Sequence, residues 1–197
     1  MSVYSFAPEP DLSTQEQPFA FWQNAFDDES INKIVEIGES LVPEKAVVGT
    51  DNKVKKIRKS YVSWIQNNPE TNFIYDNLAY VSRCLNGEFF DFDIFGFVED
   101  IQYTRYECDG GHYDWHLDKG QIHPSPRKLS VVMQLSDPNE YEGGDLEFWT
   151  GGGEPIKAKR EKGIVYAFPS YILHRVTPVT KGTRRSLVVW VAGPKFK

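Results

Sequence analysis

Residues 163–191, GIVYAFPSYILHRVTPVTKGTRRSLVVWV, decide the fold of this chain. They contain three short apolar stretches, at 164–168, 174–176 and 184–191, and the residues between them include Pro, Ser and Gly, which favour turns. In the last stretch, one strand face is aliphatic and the other carries Arg184, Ser186, Val188 and Trp190. We therefore predict a β-strand that packs against a core on one side and lines a binding site on the other.

The pattern of short strands extends over the whole second half of the chain. Further candidate strands lie at 90–107, 129–135, 145–149 and 154–159, and Gly-Gly or Asp-Pro pairs separate several of them. Many short strands with regular turn signals favour an all-β sandwich or jelly roll.

The first half of the chain has helical periodicity instead. Asp28 is a capping residue for a helix that extends through Leu41 and ends before Pro43. A second helix is predicted to start at 68–70 and to end at 86–87, an Asn-Gly pair. We therefore expect a mainly β (α+β) fold in which the N-terminal helices cover one face of a sheet.

The length of 197 residues indicates a single domain. We assign residues 1–20, which are polar and rich in Pro, to an N-terminal arm, and residues 21–197 to the domain. Its helical part covers about 21–88 and its jelly-roll core about 89–197.

Composition excludes several classes of protein. With 28 acidic and 22 basic residues, the net charge of −6 argues against a dedicated nucleic-acid binder. No apolar run reaches the length of about 18 residues that would span a membrane, and no secretory signal opens the sequence. The two cysteines, Cys84 and Cys108, are predicted to be free thiols, so a reducing, cytoplasmic location is expected. Nothing in the sequence indicates an oligomeric state.

Three residues of the second half form a candidate metal site. His116 and Asp118 are two positions apart, so on a strand both side chains would share one face, with Cβ atoms about 7 Å apart. His174 follows at the start of another predicted strand, which a jelly roll would bring close. Two His and one carboxylate form the facial triad of non-haem Fe(II) sites, which leaves metal positions open. Taken alone, His-Leu-Asp would equally suit a polar pair on a surface strand.

Arg184 adds a second element to this site. It follows His174 by ten residues, with Pro178 and Gly182 between them, so the chain has room to turn and return on a neighbouring strand. Its guanidinium offers a rigid two-pronged fork for a carboxylate. The alternative for an isolated Arg is a surface salt bridge.

Taken together, these motifs resemble Fe(II)/2-oxoglutarate dioxygenases of the prolyl 4-hydroxylase type. The resemblance covers roughly residues 55–193. It is carried by the stretches 106–118, 127–130, 141–146, 168–170, 174–179 and 182–184. It implies a double-stranded β-helix, which is a form of jelly roll and agrees with the strand pattern.

The resemblance also implies roles for individual residues. Iron would be bound by His116, Asp118 and His174, and 2-oxoglutarate by Arg184, Tyr106 and Gln134. The peptide groove would be bordered by Arg58, Trp64, Glu99, Tyr113, Arg127 and Trp190. The alternatives are that Tyr106, Trp64 and Trp190 are ordinary strand or core aromatics and that Arg58 belongs to a solvated basic run. The turn at 109–112 is one residue longer than is usual in the family, and His112 and His123 are expected to be loop histidines rather than ligands.

The implied activity is hydroxylation of prolyl residues in a peptide or protein. The implied cofactors are Fe(II), 2-oxoglutarate and O2, with ascorbate as an additional reductant. Loops 45–56 and 112–126 would close over the substrate. One alternative is an oxygenase of another amino-acid side chain or of a small molecule, and another is a non-catalytic metal-binding jelly roll.

Overall fold

The computed structural model describes residues 17–46, 57–119 and 126–196. Most of the predicted N-terminal arm, His123 and the greater part of the loop at 45–56 lie outside these ranges. The helices are α1 (Asp28–Ser40) and α2 (Asn72–Leu85), and α2 continues into one π-helical turn (Asn86–Phe90). The strands are β1 (Ala20–Trp22), β2 (Glu44–Lys45), β3 (Arg58–Lys59), β4 (Tyr61–Ile65), β5 (Gly96–Phe97), β6 (Ile101–Glu107), β7 (His112–His116), β8 (Arg127–Gln134), β9 (Tyr141–Gly143), β10 (Leu146–Trp149), β11 (Ile156–Lys157), β12 (Val165–Pro169), β13 (Leu173–Val176) and β14 (Val179–Ala192).

The strands form two antiparallel sheets, the major and the minor sheet. The major sheet has the order β1-β12-β8-β14-β6-β4-β2, with β5 and β9 also paired to β14. The minor sheet has the order β11-β10-β13-β7-β3. The sheets pack as a jelly roll, so the predicted mainly β fold is confirmed. None of the described helices is long and apolar enough to cross a membrane.

Strand β14 lies at the centre of the major sheet and separates two cores. Its side chains Leu187, Val189 and Val191 join a core with the buried faces of α1 and α2. Val188, on the opposite face, packs against a second core between the two sheets. The alternation read from the sequence therefore matches the two faces of β14, and the helices cover one sheet face as expected.

Helix α1 is fixed at both ends by polar contacts. Its cap is Asp27, one residue before the predicted position, whose Oδ1 accepts from Ser30 N at 2.8 Å. Near the other end, the Glu39 carboxylate accepts from Tyr103 Oη and from the guanidinium groups of Arg105 and Arg185. Burial alone would raise the pKa of Glu39, but these hydrogen bonds outweigh it and lower the pKa.

The segment after α2 differs from its prediction. The helix does not end at Asn86-Gly87 but continues to Phe90, and Asp91 ends it in a left-handed conformation with φ 48°. The Asn86 side chain bonds both the N–H and the C=O of Phe92, which stabilises this turn. The single strand predicted over 90–107 is therefore wrong, since only β5 and β6 are extended there.

We predict that Gly38→Ala lowers the free energy of unfolding by about 1–3 kcal/mol, because overpacking a buried contact costs that much. A Cβ at Gly38 would lie 2.4 Å from the Tyr103 ring, which is itself buried. Denaturant unfolding measures the change. Gly87→Ala is the matched control, since its Cβ would meet no atom within 4 Å. Equal stability of both variants would show that α1 does not pack as described.

Candidate active site

The candidate metal centre lies where β7 ends beside β13. His116 is the last residue of β7, and the strand register places it opposite His174. Asp118 Oδ1 is 3.5 Å from His116 Nε2, and Asp118 Oδ2 is 3.5 Å from His174 Nε2. The prediction that one strand carries both His116 and Asp118 is wrong, because Asp118 lies in the turn after β7. A hydrogen bond of 3.0 Å from Asp118 N to Ser170 O holds that turn.

Backbone carbonyls determine which nitrogen of each imidazole carries a proton. His116 Nδ1 lies 2.7 Å from the carbonyl oxygen of Asp114, and His174 Nδ1 lies 2.9 Å from that of Ile172. Because a carbonyl oxygen only accepts hydrogen bonds, both Nδ1 atoms carry the hydrogen. The lone pairs of both Nε2 atoms therefore face Asp118, which is the tautomer that a metal ligand requires.

Burial also sets the charge of the cluster. Burial, reinforced by the neighbouring His174, lowers the pKa of His116 to about 3, so this ring is neutral near pH 7. Burial would raise the pKa of Asp118, but His174 and His116, together with the neighbouring side chains of Ser130 and Trp190, outweigh it and lower the pKa. The ligand atoms of the three residues all lie within 4.8 Å of one another. Neutral imidazoles with one carboxylate suit Fe(II), so the residues present fit the metal that the sequence suggests.

Arg184 is a buried cation without an anionic partner among residues 17–46, 57–119 and 126–196. Its side chain is 1% exposed. Nη2 donates to Gln134 Oε1 at 2.8 Å and Nη1 to Ser186 Oγ at 3.3 Å, while Nε has no hydrogen-bond partner. Among the described residues, no carboxylate forms an ion pair with this guanidinium. Because an unpaired buried charge is costly, the site is built to receive an anion.

A cavity of about 460 Å³ connects the metal cluster to Arg184. Its walls include these predicted site residues: His116, Asp118, His174, Arg184, Tyr106, Arg58, Trp64, Tyr113, Arg127 and Trp190. Two others stand behind the wall. Gln134 contacts Arg184, and Glu99 accepts from Arg127 Nε at 2.6 Å.

One side of the cavity mouth is a stack of Arg58, Tyr113 and His116. The Tyr113 ring lies parallel to the His116 ring, with centroids 3.4 Å apart, and the Arg58 guanidinium lies 4.6 Å above Tyr113. Burial raises the pKa of Tyr113 to about 12, so its hydroxyl stays protonated.

The other side is tied directly to a metal-ligand candidate. The Arg127 guanidinium lies 3.6 Å over the Trp190 ring and donates to both Glu99 oxygens. Its Nη1 also donates to the carbonyl oxygen of Asp118 at 3.1 Å. A movement of Arg127 would therefore shift the backbone of Asp118.

Some lining residues were not anticipated from the sequence. Gln102 belongs to the same face of β6 as Tyr106, so extending the alternation from Tyr106 would have found it. Leu146 and Val176 complete the apolar wall, but aliphatic residues carry no signal that distinguishes a pocket from a core. His112, expected to be a loop residue, lies in β7 with its Nδ1 2.7 Å from Gly110 O, outside the metal cluster.

Comparison with known proteins agrees with this geometry. Residues 101–192 match the model of the 2OG-Fe(II) oxygenase superfamily, and the match contains all three metal-ligand candidates and Arg184. Over these residues the chain is similar to this superfamily. A PKHD-type hydroxylase of Teredinibacter turnerae is 37% identical over 100 residues, which cover 47% of this chain and 44% of that protein. The chain thus matches less than half the length of the first relatives found.

Two solved structures of prolyl hydroxylases share the fold along nearly the whole chain. A prolyl-4-hydroxylase from Pseudomonas putida has a TM-score of 0.72 at 18% identity and covers 94% of this chain and 96% of that one. A prolyl hydroxylase from Trichoplax adhaerens, in complex with a hypoxia inducible factor peptide, has a TM-score of 0.73 at 18% identity. It covers 89% of this chain and 84% of that one.

We predict that Asp118→Ala weakens metal binding at least roughly 10-fold, because the hard oxygen donor is lost. Anaerobic calorimetry with Fe(II), or with Mn(II) as a stable substitute, measures the affinity. His112→Ala is the matched control and is expected to bind metal as the unaltered chain does. If the two variants bind equally well, His116, Asp118 and His174 are not the metal site.

Proposed function

We propose that this chain is an Fe(II)- and 2-oxoglutarate-dependent hydroxylase that acts on prolyl residues of a peptide. The observation that carries the proposal is the single cavity that joins a His-His-Asp cluster to a buried, unpaired arginine. A non-catalytic metal-binding module would not need the buried arginine.

The metal would be held by His116, Asp118 and His174. When bound, iron with 2-oxoglutarate supplies the activation of O2 that hydroxylation requires. The three ligand candidates line one cavity, where a bound ion would be open to a cosubstrate. The carbonyl oxygens behind both Nδ1 atoms keep the imidazoles in the ligating tautomer.

Arg184 would hold the far carboxylate of 2-oxoglutarate. Gln134 and Ser186 bind its two terminal nitrogens and so fix the plane of the fork before any ligand arrives. This pre-organisation lowers the entropy that is lost on binding. The Tyr106 ring, whose centroid is 5.4 Å from the guanidinium carbon, forms the adjacent wall.

Aliphatic side chains would keep water out of the reaction site. Val132, Leu146, Val176 and Val188 line the cavity between Arg184 and the metal cluster. They leave space for a cosubstrate but offer no hydrogen bonds to solvent. A dry pocket limits side reactions of an oxidising centre.

The aromatic mouth supports a prolyl peptide as substrate. Trp64, which is 38% exposed, offers a ring face on which a pyrrolidine can pack, and Arg58 and Arg127 offer donors to peptide carbonyls. A Pro-rich peptide is already extended and loses little entropy on binding. The PKHD-type relative and the two prolyl hydroxylases of the same fold support this choice of substrate.

Turnover with a Pro-rich peptide tests the function. We expect one succinate and one hydroxylated proline, seen as a gain of about 16 Da, per 2-oxoglutarate consumed, and neither product with His174→Ala. Reactions with and without ascorbate show whether it sustains turnover. Succinate formed with no modified proline in any peptide would point instead to another side chain or a small molecule. Absence of 2-oxoglutarate turnover by the iron-loaded chain would contradict the proposal.

We predict that Gln134→Glu raises the KM for 2-oxoglutarate more than roughly 10-fold, since hydrogen bonds to charged groups are worth 1.5–3 kcal/mol. The new carboxylate would lie within 2.8 Å of Arg184 Nη2 and would compete with the cosubstrate for its charge. Initial rates measure KM, and thermal unfolding checks that the fold persists. Gln66→Glu, an exposed change of the same kind, is the control. An unchanged KM would mean that Arg184 does not bind the cosubstrate.

A further inference from the structure

A second concave surface adjoins the cavity. We call it the acidic groove, and it is bordered by Trp64, Tyr75, Asp76, Val98, Glu99 and Asp100. It lies between α2 and the segment that joins β5 to β6, and its open volume is about 730 Å³. None of the roles assigned so far uses Asp76, Val98 or Asp100.

The acidic groove is continuous with the cavity. Trp64 borders both, and Glu99, in the groove wall, holds Arg127, in the cavity wall. The Trp64 and Trp190 ring centroids are 6.5 Å apart, about two residues of an extended peptide at roughly 3.1 Å per residue. A peptide that leaves the cavity over the exposed Trp64 ring therefore enters the groove.

The charges of the two surfaces are opposite. Besides Arg127, which is paired with Glu99, the cavity is lined by Arg58 and Arg184, neither of which forms an ion pair with a carboxylate of the described residues. In contrast, no described Lys or Arg lines the groove. Glu99 is neutralised by Arg127, but Asp76 and Asp100 form no ion pair with any basic side chain in the described ranges. A basic residue of a substrate is therefore disfavoured in the cavity and favoured in the groove.

The groove also offers apolar contacts that suit a long basic side chain. Trp64 is 38% exposed and Val98 is 52% exposed, so both present apolar surface to solvent. The aliphatic stem of Lys or Arg can cover such surface while its charge reaches a carboxylate. A cation over the Trp64 ring is attracted by its face as well.

We propose that the acidic groove binds the flank of the peptide substrate and selects a Lys or Arg at least two residues from the target proline. This inference rests on the proposed function for the identity of the peptide. It makes the groove a specificity site that sets which proline of a chain enters the cavity.

The test uses a series of Pro-rich peptides in which one Lys is placed at successive positions on either side of the proline. Each peptide is compared with the peptide that has Ala at the same position. At one or more positions from the second outward, we expect Lys to raise kcat/KM roughly 5-fold, as an ion pair of up to about 1 kcal/mol allows. The gain is expected to shrink at high salt. If Lys gives no gain at any position, the proposal is overturned while prolyl hydroxylation itself stands.

Variants assign the preference to the groove. In Asp76→Asn/Asp100→Asn, the ratio of kcat/KM for the Lys and Ala peptides is expected to fall to about 1. Glu36→Gln/Glu88→Gln removes the same charge from exposed positions elsewhere and is expected to keep the wild-type ratio. A Lys preference that survives in the Asp76/Asp100 variant would place it on another surface and overturn the proposal.

Binding of fluorescent peptides, measured by anisotropy, separates the groove proposal from the proposed prolyl hydroxylation. Lys-dependent binding that needs Asp76 and Asp100 would uphold the groove even if no proline were hydroxylated. Binding that is equal for Lys and Ala peptides would overturn it whatever the turnover assay shows.

Discussion

The buried guanidinium of Arg184 is the constraint on which the site depends. A cation that is 1% exposed and has no carboxylate partner among the described residues costs stability until an anion binds. The surrounding side chains do not cancel its charge. Gln134 and Ser186 only orient it, and Nε is left without a partner. The fold therefore keeps an uncompensated positive charge in the wall of the cavity, which a dicarboxylic cosubstrate would neutralise.

The jelly roll places this positive charge in the same cavity as the metal cluster. Arg184 lies on β14 of the major sheet, whereas His116 and His174 lie on paired strands of the minor sheet. Packing of the two sheets brings groups that are far apart in sequence to one cavity. The helices serve the same end, because they cover the aliphatic face of β14 and so leave its polar face free to line the cavity.

Local rules predicted much of this from the sequence. The alternation along 184–191 identified the two faces of β14, and the types and spacing of His116, Asp118 and His174 identified the cluster. The π-helical turn, the strand β7 and the turn that carries Asp118 could not be predicted in this way. They depend on contacts with distant residues, such as Asp118 N with Ser170 O, which no local pattern encodes. The same holds for Gln134, whose contact with Arg184 joins strands 50 positions apart.

The most direct test of this account is the affinity of the metal-loaded chain for two keto acids, measured anaerobically by calorimetry. 2-Oxobutyrate has the keto acid end of 2-oxoglutarate but lacks the far carboxylate. If Arg184 is the carboxylate receptor, the chain binds 2-oxoglutarate roughly 10- to 100-fold more tightly, and Arg184→Gln loses this difference. Equal affinities for both acids in the unaltered chain would contradict the account.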